Sequence, residues 1–177
     1  PHGMVDFPSD TNTYFIVPYG VTLIEVAING GAGGGGGNIS GPSNNNSQGC
    51  PFGSSVGGSG GSGGYIRAII PCSAGDSIQF ITGSNGINGS NGTAWCSGGG
   101  DGTNGTNTDM LFGGIVMLTA NGGGFGGGAI CGCGLNGNFN GASGNPGGTS
   151  INTNYAPQSG IMIMETGSNG GAQAIIR

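Results

Sequence analysis

Apolar residues alternate with polar ones over short stretches of this chain, and nowhere do they recur at helical spacing over three turns. From Val21 to Asn29, residues Ile24, Val26 and Ile28 fall on one face and Leu23, Glu25 and Ala27 on the other, a period of two that predicts a half-buried strand. Tyr65 to Ile70 repeats the pattern with Ile66, Ala68 and Ile70 on one face, and Ser77 to Thr82 alternates as well. Ser73-Ala74-Gly75-Asp76 between them reads as a turn, so these two segments are expected to pair as a hairpin. Met110 to Ala120, Gly160 to Met164 and Ala172 to Ile176 complete the strand candidates, each flanked by Gly or Asn. The expected fold class is all-β.

Glycine-rich insertions separate these strands, at Gly30 to Gly64, Gly83 to Gly105 and Gly122 to Gly148. Glycine supplies 47 of 177 residues. Each loses more conformational freedom on folding than any other residue and brings no side chain to bury. Composition alone would suit a flexible linker. Two features oppose that reading. The 34% apolar content is concentrated in the strand segments, and from Tyr14 to Gly37 a patterned strand runs directly into a glycine tract. Loose loops of these lengths would also exceed the usual range. An extended helix with three residues per turn points its backbone groups outward, and parallel copies can hydrogen-bond to one another if side chains stay out of the way. Gly33 to Gly37, Gly57 to Gly64 and Gly122 to Gly128 meet that steric demand.

The remaining composition excludes more than it assigns. Two Arg, no Lys and seven carboxylates give a formal charge of −5, which argues against nucleic-acid binding and against a polybasic membrane patch. No apolar run approaches the roughly 20 residues that span a bilayer, so no membrane insertion is expected. Pro1-His2-Gly3 ahead of Met4 reads as a cloning remnant, which leaves 4–177 as a single domain. The sole histidine, His2, is then foreign, and a cysteine nucleophile would lack a histidine base. With carboxylates scattered over the chain, the expectation is a protein that is not an enzyme, with no catalytic residues. GAGGGGG after a strand looks like a dinucleotide loop, but no helix follows it. Asp101 to Asp109, DGTNGTNTD, offers oxygen ligands, yet its spacing departs from known calcium loops and ordinary Asn/Asp turn chemistry explains it; no metal and no cofactor are expected. Cys50, Cys72, Cys96, Cys131 and Cys133 form no CxxC pair, and two disulfides plus a free thiol remain open among several pairings.

At FIVPYGVTLIEVAINGGAGGGGG, GGSGGYIRAIIPCSAGDSIQFITG, GGGDGTNGTNTDMLFGGIVMLTANGGGFGGG and the closing SNGGAQAIIR, the chain resembles the glycine-rich domain at the ends of phage tail fibres and related adhesins. The resemblance covers nearly the whole chain and rests on the order of these motifs. It implies a β-sandwich, jelly-roll or tumour-necrosis-factor-like, carrying glycine insertions packed as polyglycine II helices. It further implies a homotrimeric fibre tip, outside the cell on a virion or cell surface and at the C-terminal end of a longer fibre. Its function would be receptor recognition, the receptor being a cell-surface glycan or an outer-membrane protein.

Loops joining packed glycine helices would lie at an end of the bundle. Aromatic and amide side chains there could stack on sugars and hydrogen-bond their hydroxyls. Phe52, Trp95, Asn138, Phe139, Asn140 and Tyr155 are the receptor-binding candidates, with Phe125, Asn44, Asn45 and Asn154 also in the insertions or beside them. Each aromatic suits burial as well as display. The stretch from Leu135 to Tyr155 is the preferred surface, being polar and aromatic without strand character. Two other readings stand beside this one. The domain could be a structural trimerisation cap or filament subunit without receptor affinity. It could also bind ice, since flat arrays of glycine helices resemble some antifreeze proteins, although the insertions lack a strict Gly-x-x period.

Overall fold

The computed structural model describes residues 3, 5–40, 54–92, 98–130, 140–151, 160–169 and 173–176. It contains ten strands: β1 (Val5–Phe7), β2 (Asn12–Ile16), β3 (Leu23–Asn29), β4 (Gly63–Pro71), β5 (Ser77–Ile81), β6 (Thr108–Phe112), β7 (Ile115–Ala120), β8 (Thr149–Ile151), β9 (Met162–Asn169) and β10 (Gln173–Ile176). One sheet has the order β1-β10-β3-β4-β9 and the other β2-β5-β6-β7-β8, with every neighbouring pair antiparallel. The all-β class expected from the alternation is therefore present, as two antiparallel sheets in a sandwich-like arrangement.

The inward faces follow the period of two. Ile24, Val26 and Ile28 from β3 and Ile66, Ala68 and Ile70 from β4 are all buried, as are Ile78, Phe80, Met110 and Leu118 of the opposite sheet. Burial of each large side chain contributes about 1.5–3 kcal/mol. Phe7 stacks on Phe80 with ring centroids 4.9 Å apart and joins the two sheets. On the outer face of the first sheet, Ala27 pairs with Arg67, and the Arg67 Nε donates to Glu25 Oε1 at 2.9 Å.

Three sequence expectations need correction. Met110 to Ala120 is two strands, because Gly113 and Gly114 adopt positive φ and turn the chain between β6 and β7. The segments around Ser73–Asp76 do not pair with each other. Both edges of β4 are occupied, by β3 and β9, so the chain crosses at this turn to β5 in the other sheet. Strands β1, β2 and β8 were not anticipated; β1 and β8 are three residues long, too short to show a period.

The described parts of the glycine insertions are ordered extensions of three hairpins. Chain order gives run I (30–38) after β3 and run II (56–64) into β4. Run III (83–92) follows β5 and run IV (98–107) leads into β6; run V (121–129) follows β7 and run VI (140–148) leads into β8. Their hydrogen bonds repeat every three residues. In run I the N–H groups of Gly30, Gly33 and Gly36 donate to run II, and those of Gly31, Gly34 and Gly37 donate to run IV. Run V does the same toward its own neighbours, with Gly123, Gly126 and Ala129 donating to run I and Asn121, Gly124 and Gly127 to run VI. A three-residue turn with outward backbone bonding is the polyglycine II arrangement.

The pattern of partners fixes the cross-section. Runs III, I and II form one layer and runs IV, V and VI a second, with run I bonded to runs II, III, IV and V. At about 3.1 Å per residue, nine residues carry the bundle about 28 Å beyond the sheets. Glycine is needed here for space and not for handedness. None of the run glycines has a positive φ, yet a Cβ on Gly34 would lie 2.0 Å from the Ile87 carbonyl oxygen, and one on Gly37 1.9 Å from that of Ser90.

Candidate functional site

The topology of the runs determines what stands at the far end of the molecule. Runs I, III and V leave the sheets and runs II, IV and VI return to them, so the described ends of all three hairpins stand together at the distal end. The described residues there are tied together. Ile39 bridges to both Ser55 and Gly92, Gly99 N–H donates to Ala129 C=O at 2.8 Å, and Gly141 N–H donates to Val56 C=O at 3.0 Å. Ile39 is buried, whereas Val56 and Ile130 are each 59% exposed. These residues flank segments 41–53, 93–97 and 131–139, which contain Phe52, Trp95, Asn138 and Phe139; all four lie outside the described residues, as do Asn44 and Asn45.

Asn140 is described, and its side chain is engaged. Its Oδ1 accepts the Val56 N–H at 3.1 Å and the Ser55 hydroxyl at 3.2 Å, which binds run VI to run II at the distal end. Asn140 is exposed but serves first as a clamp. Tyr155 and Asn154 also lie outside the described residues, and their described flanks are elsewhere. Ile151 ends β8 in the sandwich, and Gly160 stands against Pro71 at the end of β4 remote from the bundle. Leu135 to Tyr155 is therefore not one surface: 140–148 is a glycine run and Thr149–Ile151 is a strand.

Polar side chains along the bundle show a regularity that the sequence analysis missed. Run III is a strict Gly-x-Asn repeat from Gly83 to Asn91, and run IV continues as Gly-Thr-Asn from Gly102 to Asn107. Runs III and IV thus carry a strict Gly-x-x period, contrary to what was expected of the insertions. Asn85, Asn88 and Asn91 each use Oδ1 to accept the N–H of Ala32, Gly35 and Asn38, at 2.9, 2.8 and 2.9 Å. On the opposite layer Asp101, Asn104 and Asn107 accept the N–H of Gly128, Phe125 and Gly122, at 2.7, 2.9 and 3.0 Å. Thr103 and Thr106 accept from Ile87 and Ser84. In runs I and V two N–H groups in three bond to backbone of neighbouring runs, and a side-chain oxygen at the same period meets the third.

This regularity explains the oxygen-rich stretch around Asp101. Three of its oxygens cap backbone donors, and Asp109 accepts the Thr119 hydroxyl at 2.6 Å. Among the described residues no group of three His, Cys, Asp or Glu side chains is placed to hold a metal ion.

A concave feature lies at the base of the sandwich. A cavity of about 310 Å³ is lined by Ile70, Pro71, Cys72, Phe112, Met117 and Ile161, among others. Cys72 is a free thiol, and burial, followed by the nearby Asp76 charge, pushes its pKa above the ordinary value, which suppresses the thiolate. Asp76 Oδ2 is bonded to the Ser73 N–H at 2.7 Å. Such a cavity holds no activated nucleophile. Cys50, Cys96, Cys131 and Cys133 lie outside the described residues, all within the segments that connect the runs.

The chain matches no protein-family model and no curated protein sequence.

Proposed function

We propose that this domain is a non-enzymatic, receptor-binding adhesin at the tip of a trimeric fibre. It engages a cell-surface glycan or an outer-membrane protein through the segments at the distal end of its glycine bundle. The observation that carries this reading is the arrangement of the three hairpins. The described ends of all three glycine hairpins are brought to one end, about 28 Å from the sheets, on a support held by backbone hydrogen bonds along its length. A scaffold of this kind lets loop residues change without disturbing the fold, because the glycine runs, and not the loops, carry the packing. Phe52, Trp95, Asn138 and Phe139 belong to those segments and are the proposed contact residues, with Asn140 as their support. A trimer would multiply weak individual contacts into firm attachment.

Binding of the fluorescently labelled domain to a panel of bacterial cells and glycans tests this reading, with its mass in solution measured alongside. Selective binding that falls when Trp95 and Phe139 are replaced by alanine is the expected result. Binding that survives replacement of 41–53, 93–97 and 131–139 by Gly-Ser segments of equal length would remove the distal end from consideration.

A second reading, a trimerisation cap without receptor affinity, draws on a different observation. The outer face of the first sheet leaves Leu23 59%, Met162 62% and Met164 47% exposed, and β9 is an edge strand. A stable oligomer that binds no cell and no glycan would put this reading first.

A further inference from the structure

Phe125 departs from the rule that builds the rest of run V. Gly122 and Gly128, three residues to either side, share its phase in the three-residue turn. Both face run IV so closely that a Cβ would lie 2.0 Å from the carbonyl oxygens of Gly105 and Gly99 respectively. Position 125 nevertheless carries a phenyl group, and it is 43% exposed. The ring takes no part in the core cluster of the sandwich. No other aromatic residue occurs in any of the six runs. A large apolar side chain kept where the local packing rule selects glycine, and left partly in water, marks a place where use outweighs stability.

Its neighbours have the matching chemistry. Asn104 Oδ1 accepts the Phe125 N–H at 2.9 Å, which fixes the amide beside the backbone that carries the ring. Asp101 and Asn107, one turn to either side along run IV, are held in the same way by Gly128 and Gly122. All three are exposed. In each bond only Oδ1 is engaged, so the amide NH2 groups and the second carboxylate oxygen are not used by it. The result is an aromatic surface beside a row of one carboxylate and two amides, spaced about 9 Å apart by the three-residue turn. The C–H face of a pyranose ring packs on an aromatic face, while its hydroxyls pair with amides and carboxylates on the rim. A carboxylate in the row, in a chain of formal charge −5, disfavours an anionic sugar.

We propose that Phe125, with Asp101, Asn104 and Asn107, forms a lateral subsite on the flank of the bundle for a neutral pyranose ring, separate from the distal segments. The proposal rests on the adhesin reading, and it narrows the receptor to a neutral polysaccharide long enough to reach both places. Such a chain would gain strength from the second contact.

Saturation-transfer NMR tests it directly, with cello-, xylo- and manno-oligosaccharides in the millimolar range as probes and selective irradiation of the aromatic protons. Wild type is expected to transfer saturation to the C–H protons of at least one probe. Phe125→Gly, which restores the phase of Gly122 and Gly128, should keep or raise the thermal midpoint while weakening that probe's binding about tenfold, equivalent to 1.4 kcal/mol. Phe125→Trp should retain binding. Two outcomes would overturn the proposal: no transfer to any probe, or equal affinity in Phe125→Gly. In either case, wild-type domain that still binds cells would leave the adhesin reading standing, and failure to bind both cells and sugars would remove that reading too.

Discussion

Substituting alanine at Gly34 and, separately, at Gly35 tests whether the bundle is held by close backbone approach. The two residues are adjacent in run I, yet their surroundings differ. A Cβ on Gly34 would sit 2.0 Å from the Ile87 carbonyl oxygen and 2.4 Å from its carbon, whereas the nearest atom to a Cβ on Gly35 is 3.5 Å away. Contact with Ile87 must therefore open from 2.0 Å to at least 3.0 Å, which moves run III by about 1 Å. The Ile87 carbonyl cannot yield alone, because it also accepts the Thr103 N–H at 2.9 Å. The displaced bonds are Gly86 N–H to Ala32 C=O at 2.7 Å and Gly89 N–H to Gly35 C=O at 2.8 Å.

Two backbone bonds contribute about 1 kcal/mol each. Overpacking strain adds about 1–3 kcal/mol. Against this, replacing glycine by alanine restricts the unfolded chain and returns about 0.4–1 kcal/mol. Gly34→Ala should destabilise by about 2–5 kcal/mol, or about 4–20 °C in thermal midpoint for a chain of this size. Gly35→Ala should be neutral or stabilising by up to about 1 kcal/mol. Thermal and urea unfolding followed by circular dichroism measures both. Equal effects at the two positions, or a Gly34→Ala midpoint within about 1 °C of wild type, would refute the close-approach argument.

The side-chain ladder predicts that Asn88→Ala costs about 0.5–1.5 kcal/mol, with water partly replacing the lost acceptor. Hydrogen exchange should quicken at the Gly35 amide, which loses its 2.8 Å partner, before it quickens at Val26 or Ile66 in the sandwich. Thr108 is fully buried between the sheets and the bundle, donating to Asn29 C=O and accepting the Gly83 N–H. Thr108→Val leaves both groups without their partner and should cost about 2–6 kcal/mol in urea unfolding, from about 1–3 kcal/mol per buried group. Alkylation of Cys72 by iodoacetamide, followed by peptide mass mapping, should be slower than that of a free thiol at pH 8 and should accelerate as pH rises. Because the folded thiol has the raised pKa, any stability it contributes is present below the ordinary thiol value and is lost as pH rises through the folded one. Arg67→Leu should cost no more than about 1 kcal/mol, since its bond to Glu25 lies at the surface with both side chains partly exposed.

Much of this architecture is already written in local pattern. The period of two at Leu23–Asn29 and Gly63–Pro71 placed Ile24, Val26, Ile28, Ile66, Ala68 and Ile70 on buried faces, and the density of glycine announced extended backbone packing. Those properties depend on neighbours in sequence, so the sequence alone determines them. Strand partners do not. The alternation in Tyr65–Ile70 and Ser77–Thr82 is the same whether they pair or part, and only the occupation of both β4 edges sends them to different sheets.

The candidate site divides in the same way. Aromatic and amide residues in the insertions were legible as a set, but their grouping was not. Phe139 and Tyr155 are 16 positions apart in the sequence, yet the described flanks of one stand at the distal end and those of the other on the sandwich. The Asn residues of run IV read as turn formers and those of run III stood out in no pattern, because their acceptors serve donors on another run, 53 positions away for Asn85, Asn88 and Asn91. Sequence thus determined that the chain alternates strands with three-residue glycine turns. Tertiary structure decided which runs touch, which side chains close the ladders and which face is left for Phe125, because hydrogen bonds between distant segments exist only once the bundle has formed.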